Sequence, residues 1–165
     1  MIFQYPKAAK VIEVLSDLIK IHNDRMVSYQ HALDQTATTL DAAVYEAFGK
    51  IIADTKHYKA QLAHKIKELN GDPAKGILGK IYNAWTALKV TLPGSTQKSI
   101  ISSCMYNEEI AQYAYKAALS ANESISMEIR QLIESQEDAL KDTYRIINKY
   151  RDAPQAINYK MAYFS

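Results

Sequence analysis

At 165 residues the chain suits one domain with a sizeable core. Its 20 Lys+Arg and 18 Asp+Glu leave a net charge of +2, mixed along the sequence, which excludes the basic block of a nucleic-acid-binding protein. The single cysteine, Cys104, excludes an internal disulfide, and no apolar run approaches the ~20 residues of a membrane span.

The opening "MIFQYPKAAK" lacks the apolar core of a signal peptide, so a soluble cytoplasmic protein is expected. Residues 7–36 read as the first helix. Val11, Leu15, Leu18, His22, Met26, Tyr29 and Leu33 recur at steps of three and four, the spacing of one helical face. Residues 39–70 form the second. Its stripe is Leu40, Val44, Phe48, Ile51, Thr55, Tyr58, Leu62, Ile66 and Leu69. Thr38 with Asp41 resembles a capping box at its start, and Gly71 is placed as its C-terminal cap.

Four of the five glycines lie between Gly71 and Gly94, with Pro73 and Pro93, so residues 71–95 read as a connection. It carries its own amphipathic piece, "GILGKIYNAWTALKVTL". Trp85 within it is expected to anchor the connection on the bundle. The third helix, 96–119, turns Ile100, Ile101, Cys104, Glu108, Ala111, Tyr115 and Ala118 inward. The fourth, 124–151, turns Ile129, Ile133, Gln136, Leu140, Thr143, Ile147 and Tyr150 inward. Residues 152–165 form a tyrosine-containing tail.

Short joints after the first and third helices make antiparallel hairpins, and the long connection can run the length of a bundle. The predicted fold is all-α: a ferritin-like four-helix bundle, two hairpins joined by a long crossover with a short helix in it.

Four stretches in this order resemble a known family: "LSDLIKIHNDRMVSY" at 15–29, "LNGDP" at 69–73, "WTALKVTL" at 85–92 and "NEEIAQYAYKAAL" at 107–119. The resemblance covers about residues 11–151 and is to a bacterial ferritin-like family of four-helix bundles of unknown function, some of them in stress-induced sets. It implies the ferritin-like fold. It implies little about activity.

A ferritin-like dinuclear site needs carboxylates from all four helices, usually with two histidines, all pointing into the bundle. "DTKHYK" at 54–59 offers Asp54 and His57 as such a half-site. At 100° per residue, however, Asp54 lies about 80° and His57 about 140° from the inward direction of the second stripe. Thr55 and Tyr58 point inward instead. In the first helix Met26 is inward and Asp24 points away. In the fourth, Gln136 is the central inward polar residue, while Glu134 and Glu137 lie off the stripe. Glu108 is the one inward carboxylate. Met26, Thr55, Tyr58, Glu108 and Gln136 should therefore form a mid-bundle polar layer, with Glu108 bonded to Tyr58, Thr55 or Gln136.

His22 is expected as a satisfied core histidine, and Cys104 as a small core residue without a base beside it. His31 and His64 have no partners at metal-ligand spacing. The main reading is a non-enzymatic bundle with a degenerate metal centre and no cofactor, forming a homo-oligomer, with a dimer favoured. Two other readings stay open. One is an iron- or manganese-dependent oxidase or iron-handling protein using Glu108, His22, Asp54 and His57. The other is a partner- or membrane-surface-binding module built on the crossover and tail.

Overall fold

A computed structural model describes residues 5–36, 40–75, 79–91, 96–120 and 125–151. The expected tail and the Thr38 part of the capping pair lie outside them. The described residues form α1 (Tyr5–Thr36), α2 (Ala42–Glu68), α3 (Lys80–Leu88), α4 (Gln97–Ser120) and α5 (Met127–Arg151). α1 packs along α2 and α4 along α5, making two hairpins, and α3 rests on both α1 and α4. The bundle with a helix-bearing crossover is thus the fold of the chain.

The start of α2 differs from the expected 39. Asp41 is its N-cap residue but makes no side-chain capping bond. Instead its backbone N–H donates to Gln97 Oε1 at 2.7 Å, and Gln97 Nε2 donates to Asp41 Oδ2 at 3.3 Å, tying the starts of α2 and α4 together. The end of α2 differs as well. Asn70, at φ 64°, is the left-handed residue, and Gly71 follows it. Asn70 N–H donates to Lys67 C=O and Gly71 N–H to Ile66 C=O, both at 2.9 Å, the paired bonds of a Schellman ending. Glycine is needed at 71 for proximity rather than for φ. A Cβ there would stand 2.9 Å from both Ile12 Cδ1 and Ile66 Cγ2.

The core is divided. One apolar cluster includes Leu15, Leu18, Leu62, Ile66, Trp85, Ala118, Ile129 and Ile133. The other includes Leu33, Val44, Phe48, Ile52, Ile100, Cys104 and Ile147. Early α1 meets late α2, and late α1 meets early α2, as antiparallel helices must. Each fully buried Leu, Ile or Phe contributes roughly 1.5–3 kcal/mol, so these clusters supply most of the stability. Polar residues lie between them.

The crossover is fastened by side chains of α1 and α4. Asp17, 1% exposed, accepts Gly79 N–H at 3.0 Å and Tyr82 N–H at 3.1 Å. A carboxylate from another helix thereby fills the role of an N-cap on α3 and meets the positive end of its dipole. A Cβ on Gly79 would run into that carboxylate, so glycine permits the close approach. Two turns along α1, Asp24 Oδ2 accepts Trp85 Nε1–H at 2.9 Å, Tyr82 O–H at 3.0 Å and Lys89 Nζ at 3.1 Å. Beyond α3, Asn107 of α4 exchanges two 2.8 Å bonds with the backbone of Val90.

Candidate functional site

The polar layer between the clusters is built from all four long helices. α1 places His22, Arg25 and Tyr29 at steps of three and four, so they share a face. α4 contributes Glu108 and Tyr115, two turns apart. α2 contributes Thr55, and α5 contributes Gln136. All seven are buried.

Its centre is an ion pair. Arg25 and Glu108 side chains are 2% and 1% exposed. Arg25 Nε donates to Glu108 Oε1 at 2.9 Å and Nη2 to Oε2 at 3.0 Å, a two-pronged grip on the carboxylate. Tyr29 O–H donates to the same Oε1 at 2.8 Å. The third guanidinium nitrogen, Nη1, donates to His22 Nδ1 and Thr55 Oγ1, both at 3.0 Å. Thr55 O–H passes on to Ile51 C=O at 2.7 Å. Burial works to lower the Arg25 pKa, but Glu108 and Tyr29 outweigh it and the guanidinium is held charged above its ordinary value.

The direction of every bond beyond Arg25 follows from chemistry. A guanidinium only donates, so His22 Nδ1 must accept and a neutral imidazole carries its proton on Nε2. That N–H donates to Tyr115 Oη at 2.6 Å. Tyr115 O–H donates to Gln136 Oε1 at 2.6 Å. Gln136 Nε2 donates to Tyr58 C=O at 3.2 Å, which can only accept and so fixes the amide, and to Gln61 Oε1 at 3.0 Å. The chain of donors runs one way from Arg25 to α2 and ends on amide groups.

These commitments limit the chemistry. Burial, then the Arg25 charge and that of Lys59, drive His22 well below the usual imidazole range. Its lone pair is occupied. Burial pushes Tyr115 up, and burial together with the Glu108 charge pushes up Tyr29 and the Cys104 thiol. No phenolate, thiolate or free imidazole base is on offer in the layer.

His22 gives the molecule a pH dependence. In the unfolded chain it titrates near 6.5, and in the folded chain well below that. The unfolded state therefore binds the extra proton first. Stability from this group is full above about pH 6.5 and falls with pH, by at most about 1.4 kcal/mol per unit, until the folded-state value is passed. In urea unfolding between pH 7 and 5, wild type should lose stability more steeply than His22→Gln by up to one proton's worth of slope. Parallel curves for the two proteins would rule this out.

Of the residues expected in the layer, Thr55, Glu108 and Gln136 are buried, while Tyr58 is half-buried with its ring centroid 5.8 Å from that of His22. Met26 is corrected: it is half-buried against the second apolar cluster, and Arg25 takes the central place. The expected partners of Glu108 are corrected too. It bonds Arg25 and Tyr29, not Tyr58, Thr55 or Gln136. Asp54 pairs with Lys50 at 2.6 Å on the surface, and His57 is exposed, so neither meets Glu108 or His22. Asp24 does point away from the bundle centre, but toward α3. Glu137 is buried, with one oxygen 3.5 Å from Lys141 Nζ and the other without a hydrogen-bond partner. Among the described residues no three His, Cys, Asp or Glu side chains gather where a metal ion could be held.

Arg25 was missed because a single inward line drawn through α1 passes Met26. α1 packs against α2, α3 and α4 at once, so its buried face is wide enough to take Ile21 and Arg25 as well. The spacing of Arg25 from His22 and Tyr29 is the signal that could have found it.

Among solved structures, this chain is similar to a Dps1 mutant of Mycobacterium smegmatis at a TM-score of 0.76 and 15% identity, covering 89% of this chain and 98% of that one. At that identity the likeness is one of fold, and it supports the ferritin-like bundle. No curated protein matches the sequence. No described helix is long and apolar enough to cross a membrane. The family described as a domain of unknown function, DUF2383, matches residues 10–121, more than half of the chain, and the protein belongs to that family.

Proposed function

We propose that this protein is a non-enzymatic ferritin-like bundle, a structural or interaction scaffold in which an internal ion pair holds the place of a metal centre. The observation that carries the reading is the double commitment to Arg25: the Glu108 carboxylate is gripped at both oxygens and His22 Nδ1 accepts from the same guanidinium. A dinuclear centre does not fit this donor set. One carboxylate, already neutralised, cannot balance two divalent ions, and a fixed positive charge stands where they would sit. The ion pair instead sets the register of the two hairpins, since it joins α1 to α4 while Gln136 joins α5 to α2. A stress-associated role, which rests on the family resemblance, and assembly as a homo-oligomer, with a dimer favoured, are part of the same reading.

Metal analysis of protein purified without chelators tests it. The expected content of iron plus manganese is far below one per chain. A content of about two per chain, the load of a carboxylate-bridged centre, overturns the reading.

A further inference from the structure

The side of α4 that faces away from the bundle is largely uncharged. Tyr106, Tyr113 and Ala117 lie about 140–180° around the helix from the inward Glu108, with Ser102 and Ser120 beside them, and all five are exposed. Tyr106 is 40% and Tyr113 54% exposed, high values for aromatic side chains on a helix packed into a bundle. The charged residues exposed in this stretch are Glu109 and Lys116. Both lie about 80–100° from Glu108, on one flank of the strip. They stand about 10 Å apart along the helix, too far to pair with each other. Lys116 Nζ is instead 5.7 Å from the centre of the Tyr113 ring. The exposed side of α5 has the opposite character, with Glu134, Asp138, Asp142, Arg145 and Lys149, as suits a helix that faces water.

We infer that this strip is a two-fold interface between two copies of the chain, in which α4 packs antiparallel against the α4 of the second copy with the axis at Tyr113. The inference deepens the homo-oligomer of the proposed function, on which it rests, by naming the surface and the arrangement. In a two-fold pair one patch meets itself, so it must be its own complement. About an axis at Tyr113, residues equally far before and after it face each other. Tyr113 then meets the partner's Tyr113. Tyr106 falls between the partner's Ala117 and the partner's Ser120, a large side chain against small ones. Glu109 comes within one residue's rise of the partner's Lys116. Each of the last two contacts occurs twice. An antiparallel pair brings like flanks together, so the flank of Glu109 and Lys116 meets itself with the signs opposed. A parallel pair would put those flanks on opposite sides of the contact, so the charges select the antiparallel one. Tyrosine suits such a seam, because the ring is buried while the hydroxyl reaches the wet rim.

The experiment measures solution mass by light scattering over a range of concentrations, with circular dichroism to check that each variant is folded. The substituted residues are exposed, so the core is left intact. Wild type should reach twice the mass of the chain as concentration rises. Tyr113→Glu should stay monomeric there, because it sets two like charges together at the axis. Glu109→Lys and Lys116→Glu should each weaken dimerisation about tenfold, since each removes two ion pairs and creates two repulsions. Combining Glu109→Lys with Lys116→Glu should restore the wild-type affinity, as only a surface that meets itself in this register would. A dimer that survives Tyr113→Glu overturns the inference and leaves the homo-oligomer standing. So does a combined variant that dimerises no better than the single ones. A wild type that is monomeric at every concentration overturns both. Failure of the functional reading is separate from all of these, since it would show as metal held by wild type.

Discussion

Glu108→Gln is expected to lower the free energy of unfolding by about 3–5 kcal/mol, read as a lower urea midpoint at an unchanged slope. The substitution keeps the shape and removes the charge. Arg25, 2% exposed, then carries a positive charge with no counter-ion, and the new amide N–H₂ faces the donors of Arg25 and Tyr29. The penalty is mainly that of a stranded charge, not the worth of the pair. Removing both partners should therefore hurt less than removing one: Arg25→Met with Glu108→Leu should recover more than half of the loss. Recovery should stop short of complete, because His22 Nδ1 and Tyr29 Oη would lose their partners, at about 1–3 kcal/mol for each buried group left unpaired. A Glu108→Gln loss below about 1 kcal/mol would mean that the two apolar clusters hold the hairpins together without the ion pair.

This asymmetry also explains which parts of the molecule were legible in the sequence. Helical stripes report burial of apolar residues, and the four long helices, the hairpins and the crossover all follow from them. Thr55, Glu108 and Gln136 could be placed because each lies on its helix's stripe of residues at steps of three and four. Arg25 could not, because arginine is read as a surface residue unless its counter-ion is known. That counter-ion is Glu108, 83 positions away on another helix. Asp17 and Asp24 were illegible for a related reason. They lie off the main line of α1 and look solvated until α3 is laid over them. The Asp54–His57 string shows the reverse failure, a motif that survives as spelling while the helix turns its histidine to solvent. Pairings between helices, rather than patterns within them, define this site.

Trp85→Ala should carry the other large effect, about 3–5 kcal/mol, the range for truncating a buried tryptophan. Trp85 is 2% exposed, packs in the first apolar cluster and donates its indole N–H to Asp24. It is the only tryptophan, so unfolding must be followed by far-ultraviolet circular dichroism and not by fluorescence. Trp85→Phe separates the two contributions. It retains most of the apolar bulk and drops one of three donors to Asp24, while Tyr82 and Lys89 remain. Its cost should be about 1.5–3 kcal/mol, that of one hydrogen bond to a charged acceptor. Hydrogen exchange shows whether the loss is local or global. If Trp85 fastens the crossover, its removal should speed exchange of the Tyr82 and Val90 amides, which are bonded to Asp17 and Asn107. Amides in the middle of α2 and α5, away from α3, should change less if the hairpins outlast the crossover. A uniform change across all helices would instead make the crossover part of one cooperative unit with the hairpins. A Trp85→Ala cost under 1 kcal/mol would sink the anchor itself, leaving Asp17 and Asn107 as the groups that hold the crossover down.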